Sequence, residues 1–394
     1  MSFRIKWFHL TLLGIGALCA GCGGRAFVYE TDATVEIQGR AESQSERTVR
    51  VSAVVPGREE TAAIFGIDLY DQDTQPVWIE IENNGSEPIR YAMVSTDRDY
   101  FSPLEVAYKI RAGYSKEARI EMERYFNGLA MPRYIDPGET RSGFVFTHAD
   151  NGAKGFNVDV FSAGDSFHFT FLLRVPGFVP DYANIDFESI YSSDQITAVD
   201  EDDLRTAIEN LPCCNDDGAA GVMNIILVGA GEDLLRALLR SRWIETSAAE
   251  AADKESGTLF GRQQDAIFRH NSGVDDSSYE IRLWLAPAVS GDDRVWVGQV
   301  RHFFAFGASI SRIDPDVDYA RNFALQSFLY GQSVEKLGWV AGTEIVPAAS
   351  FWDNLLQPAF FTDGYRAVLW LSGEPFSLAD VTALDWDNLS DLNQ

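Results

Sequence analysis

With 394 residues, 46% of them hydrophobic and 12% aromatic, the chain is too long for one ordinary core and has apolar material enough for two. Its 59 acidic against 32 basic residues give a formal charge of −27, a surface that repels nucleic-acid phosphates and so argues against a nucleic-acid partner. It contains no Gly-x-Ser-x-Gly, His-Glu-x-x-His or phosphate-loop motif and no pair of Cys-x-x-Cys, which removes the commonest hydrolase, NTPase and zinc-site signatures.

The first residues read as an export signal. Arg4 and Lys6 precede an apolar segment, 7–18, that is shorter than the ~20 residues needed to span a bilayer, and small residues then lead into Cys22. Ala20-Gly21-Cys22 resembles a bacterial lipobox, with Cys19 where that pattern usually has Leu. Residues 1–21 are thus expected to be a lipoprotein signal peptide and Cys22 the lipid-attachment residue, with acyl chains holding the protein to the membrane at ~0.8 kcal/mol per buried CH₂. Loss of 1–21, which carries Arg4, Lys6 and no acid, leaves a charge of −29. Gly23 is the pattern that the resemblance to lipoproteins of two-membrane bacteria associates with the outer membrane, facing the periplasm.

From 22 to 180 the hydrophobic period is mostly two. Residues 33–39, 47–55, 75–82, 141–147, 156–161 and 167–175 read as half-buried strands, and Asn83-Asn84-Gly85-Ser86, Pro137-Gly138 and Ser162-Ala163-Gly164-Asp165 as turns. Two short helices starting at Ser102-Pro103 and at Ser115 interrupt them, each headed by a capping residue. Strand number and spacing predict an immunoglobulin-like β-sandwich. Residues 181–203, polar and acidic, form the linker. A short helix, 204–211, runs into Pro212-Cys213-Cys214. Next comes a continuous apolar run, Asn224-Ile225-Ile226-Leu227-Val228, expected to be a strand buried on both faces. Gly229 and Gly231 turn the chain into a helix whose Glu232 and Asp233 face the positive end of its dipole, with Leu234, Leu235, Leu238 and Leu239 on the apolar side. The overall expectation is an α+β chain: a sandwich followed by a mixed α+β domain.

Seven pieces in order carry a resemblance: Leu211-Pro-Cys-Cys, Asn224-Ile-Ile-Leu-Val-Gly, Glu232-Asp-Leu-Leu-Arg with Trp243, Leu259-Phe-Gly-Arg-Gln-Gln-Asp, Ile281-Arg-Leu-Trp, Val295-Trp-Val-Gly and Ile313-Asp-Pro-Asp-Val-Asp. Together they resemble the LssY C-terminal domain family over about 204–342, with 343–394 as a C-terminal extension packing on that domain. The resemblance implies an envelope setting and brings no reaction with it. In the family a His commonly precedes the acidic motif and a Glu-Arg pair follows it; here those places hold Ser311 and Ala320-Arg321.

Three sets of residues are candidates for chemistry. Cys213 and Cys214 are the thiols that remain after export, and in an oxidising compartment adjacent cysteines form a vicinal disulfide or serve as soft metal ligands; a disulfide locking the loop is the favoured reading. Arg282 and Trp296 on a hairpin either line a pocket for an anionic or planar ligand or pack together. Asp314, Asp316 and Asp318 open like a calcium loop, but the twelfth position is Leu325 and no Gly follows the third acid. A helix start, with Asp314 as cap and Pro315 at the first helical position, explains them better. The histidines His148, His168, His270 and His302 are scattered singly, so no cofactor or metal is expected. The function expected is non-catalytic binding or assembly by a lipid-anchored envelope protein with an envelope protein partner, catalytic residues unknown. The alternative is a metal-assisted envelope hydrolase using the acidic cluster of Asp314, Asp316 and Asp318, which with Arg282 make a possible polar cluster.

Overall fold

A computed structural model describes residues 24–30, 33–97, 100–177, 182, 185–216, 221–248, 257–271, 277–305, 311–349, 360–384 and 386. Cys22 and the export signal lie outside them. The alternating runs of the first half fold as strands β1 (Glu42–Glu46), β2 (Val49–Val54), β3 (Gln75–Asn83), β4 (Ile89–Ala92), β5 (Tyr134–Ile135), β6 (Thr140–Thr147), β7 (Ala153–Phe161) and β8 (Ser166–Arg174). They form two four-stranded antiparallel sheets, ordered β1-β2-β3-β6 and β5-β4-β7-β8. Because side chains alternate across a strand, Val77, Ile79 and Ile81 of β3 face one core together with Val51, Val145, Tyr91, Phe156, Val158, Phe169 and Phe171, which both sheets supply. Trp78 points the other way, with Val54, Phe144 and Phe146, into a second core shared with helices.

Those helices are α1 (Ala33–Gln38), α2 (Arg58–Phe65), α4 (Pro103–Ile110) and α5 (Lys116–Leu129), with α3 (Met93–Thr96) beside β7. The two helices expected at Ser102 and Ser115 are present and capped as expected. Ser102 Oγ accepts from Glu105 N at 3.1 Å while Glu105 returns a bond to Ser102 N, and Ser115 Oγ accepts from Ala118 N at 3.1 Å. They cover the outer face of the first sheet. The stretch 33–39, expected to be a strand, is α1. Its Val35 and Ile37 alternate, but Ala33 and Ile37 are the buried pair and Val35 is exposed, so packing against the helical layer overrides β-branched propensity.

The second half holds α6 (Phe187–Ile190), α7 (Glu201–Glu209), α8 (Gly231–Arg240) and α9 (Val317–Tyr330). Its strands are β9 (Thr197–Ala198), β10 (Ile225–Gly229), β11 (Ile244–Thr246), β12 (Ala266–Asn271), β13 (Ser278–Ser290), β14 (Asp293–Ala305), β15 (Ser311–Ile313), β16 (Val334–Ala341), β17 (Tyr365–Leu371) and β18 (Thr382–Ala383). One mixed sheet runs β11-β12-β13-β14-β10-β17-β16-β18, with β15 on β14 and β9 on β13. β10 lies between antiparallel β14 and parallel β17. Its Ile225 and Leu227 face the core under α8 and α9, and its Ile226 and Val228 face the core under α7. The continuous apolar run is thus a strand buried on both faces. β17 comes from the segment read as an extension and is a central strand, paired on both edges. Among the described residues no helix is long and apolar enough to cross a membrane.

Candidate functional site

The acidic motif does start a helix, one residue pair later than its sequence implied. α9 begins at Val317, and the cap is Asp316, whose Oδ1 accepts from Tyr319 N at 2.9 Å. Asp314 instead accepts from Asp316 N at 3.0 Å and meets His302 Nδ1 at 2.9 Å. β14 and β15 form the pairing that brings this histidine and aspartate together, and a single-file reading of histidines misses it. The His302 ring stacks on Tyr279, which in turn stacks on Phe323. Asp318 accepts from Thr362 Oγ1 at 2.8 Å and from Asp363 N, and ion-pairs with Arg321 at 3.2 Å. Arg321 is buried, makes a two-point bond to Asp363 and lies over the Trp339 ring. The three carboxylates therefore face three different sets of partners. Among the described residues no group of three or more His, Cys, Asp or Glu side chains converges as metal ligands would.

Arg282 does not join them. It lies on the α7 face of the sheet, opposite Gln299, and pairs with Glu280 at 2.9 Å; Trp296 and His302 lie on the α9 face. The strand register between Tyr279–His302 and Leu285–Trp296 alternates without a bulge, so Arg282 and Trp296 cannot share a pocket. Glu280, Arg282, Gln299 and Arg301 make a buried polar patch on that face, legible in the sequence only once β13 and β14 are aligned.

Cys213 and Cys214 are free thiols with sulfurs 2.8 Å apart, beyond the ~2.05 Å of a disulfide bond. Burial pushes the Cys214 thiol up to about 12, and the neighbouring Cys213 thiol adds to the rise. The loop that carries them is gripped by Arg366 of β17. This guanidinium is fully buried and donates to the carbonyls of Met223, Ile208, Leu211, Pro212 and Gly342. Burial lowers its pKa to about 10, the cost of a cation held by carbonyl dipoles. Nothing in the sequence around Arg366 marks it as the centre of this cage.

A cavity of about 800 Å³ lies where the outer face of the second sheet meets the second half of the chain. The two sides of this seam approach closely at Gly155 of β7, where a side chain would meet Leu239 of α8 at 3.3 Å. To one side of that contact, Asp97, His148, Asp150, Lys154, Asn157 and Thr170 face Arg240, Arg242, His270 and Glu374. Lys154 is buried, 2.7 Å from Asp150, 3.9 Å from Asp97 and donating to the His148 carbonyl at 2.8 Å. Burial pushes Asp150 upward against the pull of Lys154, and the bond to Asp97 raises His148. Thr170 Oγ1 bonds Glu374 at 2.8 Å across the seam. Asp73, Arg242 and Gln332, all lining this cavity, hold left-handed backbone at φ 49°, 64° and 55° where non-glycine residues seldom sit. Each follows the end of a helical turn: Asp73 closes the 3₁₀ turn Leu69–Gln72, Arg242 comes two residues after α8 and Gln332 two residues after α9.

Comparison with known proteins bears on the second domain. Residues 255–365 match the profile described as LssY C-terminus, a span that takes in β12 to β16 and ends on the first residue of β17. It begins later than the resemblance read from sequence and extends into the segment read as an extension. No curated protein matches the chain. Among solved structures, a candidate lipoprotein (ycdA) from Bacillus subtilis aligns over 73% of this chain and 98% of its own, at 11% identity and a TM-score of 0.19, a likeness too slight to bear on fold or function. Over residues 255–365 the chain is thus similar to the LssY C-terminus family.

Proposed function

We propose that this is a lipid-anchored cell-envelope protein, held to the outer membrane and facing the periplasm, that binds a polar ligand or an envelope partner at the seam between its domains and does so without catalysis. The observation that carries the reading is the charged chamber of about 800 Å³ at that seam, where a buried Lys154–Asp150 pair and strained residues from both domains converge. The export signal and Cys22 support the anchor. Strand order supports an immunoglobulin-like first domain: the chain changes sheets between β3 and β4 and again between β6 and β7, as such sandwiches do between strands B and C and between E and F. The hydrolase reading draws no support from Asp314, Asp316 and Asp318, which are engaged in holding the chain itself.

Two measurements test the proposal. Cys22→Ser should move the protein from the membrane to the soluble fraction and abolish labelling by a fatty-acid analogue; an unlabelled wild type rejects the anchor. A photo-crosslinking residue at Asn157, inside the chamber, should trap a discrete species in intact envelopes that the same residue at exposed Glu121 does not. Identical patterns at the two positions reject the binding site.

A further inference from the structure

The adjacent thiols of Cys213 and Cys214 take no part in the seam, and their surroundings differ from those of an ordinary structural cysteine. Backbone bonds fix the loop that carries them. Leu211 N donates to the Ile208 carbonyl and Met223 N to the Cys213 carbonyl at 2.8 Å, while Cys214 makes an antiparallel bridge with Val222. The two sulfurs are in contact; Cys213 is exposed and Cys214 partly so, and the Thr343 side chain hydrogen-bonds Cys214. Arg366 reaches this loop from β17 and is fully buried. All its bonds go to carbonyls, two of them on Leu211 and Pro212 immediately before the thiols. No carboxylate among the described residues pairs with it, and the ionisable groups whose charges act on it are Cys213 and Cys214. A buried charge is ordinarily paired with an opposite one, because neutral dipoles alone compensate it poorly. Arg366 is thus a buried cation whose available counter-ions are thiolates.

We propose that Cys213 and Cys214 together bind one soft monovalent metal ion, copper(I), as a two-sulfur chelate backed by the Arg366 guanidinium. Binding forms two S–Cu bonds and releases the two thiol protons to solvent, with no change of oxidation state. Thiolate sulfur selects soft ions, and coordination deprotonates a thiol outright even where burial opposes its ionisation. Donor number and charge then choose among the soft ions. Structural zinc takes four ligands, and among the described residues no third His, Cys, Asp or Glu side chain joins the pair. Copper(I) is satisfied by two sulfurs. Two thiolates, one copper(I) and one guanidinium sum to zero charge, whereas a divalent ion leaves a surplus positive charge beside Arg366. The site shares no residue with the chamber at the seam, so it is independent of the ligand-binding reading.

The test uses the full chain carrying Cys19→Ser and Cys22→Ser, so that Cys213 and Cys214 are its only thiols, reduced and kept free of oxygen. Copper(I) is supplied from a coloured chelator of known affinity, and zinc is titrated against its own indicator. Copper(I) should bind once per chain, raise a thiolate-to-copper charge-transfer band in the ultraviolet, and bind tighter than zinc. Cys213→Ser, at an exposed position, and Cys214→Ser should each lower copper affinity by more than the ~10–100-fold that losing a merely supporting residue costs, with the melting transition retained. In envelopes of copper-supplied cells carrying the wild-type chain, alkylation of Cys213 and Cys214 should be blocked until a copper(I) chelator is added, without reductant. Failure to take copper(I) from the coloured chelator, tighter binding of zinc, or either serine variant binding as the parent does overturns the proposal. So do envelope thiols that alkylate without the chelator, or that alkylate only after reduction, which is the mark of a disulfide.

Discussion

Glu245 of β11 is the residue whose environment departs furthest from its chemistry. It is 1% exposed, one oxygen accepts from Tyr182 Oη at 2.8 Å, and the other has no partner among the described residues. Burial raises its carboxyl from the ordinary 4.5 to about 7, against the opposing pull of Tyr182 and Arg174. A folded-state pKa raised above the unfolded one means that the folded chain holds the proton more tightly. The associated stability is complete below pH 4.5 and is lost as pH rises through about 7. At ~1.4 kcal/mol per pH unit the whole effect is about 3 kcal/mol. Glu245→Gln should therefore melt at a temperature close to wild type at pH 4.5 and above it at pH 8. A difference in melting temperature that stays constant across that range would show that Glu245 ionises freely. Nothing in Ile244-Glu245-Thr246 as a string signals this; the carboxylate is buried only because the sandwich and the linker's Tyr182 close over β11.

At the scale of elements, α9 shows how far a local pattern reaches. The acids of 314–318 and the stripe of Val317, Ala320, Ala324 and Phe328 predict a helix, and all four apolar residues are buried in it. Which acid caps it was not decidable locally, because Asp314 and Asp316 are both good caps and Pro315 suits a first helical position. Tertiary structure chose: β15 pairs with β14 and holds Asp314 against His302, which leaves Asp316 to cap. Asp316→Ala should consequently cost about 0.5–2 kcal/mol in chemical denaturation, with no change on adding millimolar calcium or magnesium. An ion-dependent rise in the melting temperature of wild type that Asp316→Ala lacks would restore the metal reading. α1 is the opposite case, where a local period of two gave way to a helical face once a neighbouring layer offered one.

At the scale of the molecule, the seam between the domains decides what the protein presents to a ligand. It is packed at Gly155 against Leu239, bonded at Thr170–Glu374 and Tyr182–Glu245, and hollow on either side. Gly155→Val adds branches where a first carbon would already stand 3.3 Å from Leu239, so the seam has to open. We expect a gain in protease cleavage near the linker, with the far-ultraviolet circular dichroism of both domains retained. Unchanged cleavage would mean that the seam yields without opening, and that the two hollows are not held apart by this contact.

Sequence alone determined properties that depend on neighbours along the chain: the two capped helices over the first sheet, β10 buried on both faces, the turn into α8 and the likeness of part of the second half to the LssY C-terminus. These follow from periodicity, capping chemistry and motif order, all of which act over a few residues. Only tertiary structure decided that Arg282 and the acids of 314–318 lie on opposite faces of a sheet, that β17 enters its centre, that Arg366 holds the Cys213–Cys214 loop, and that Lys154, Asp150 and Arg242 meet in one chamber. The reason is physical. A strand's register and a buried ion's partner are fixed by which distant segment packs against it, and a side-chain period of two gives the face of each strand without naming the strand that will lie beside it.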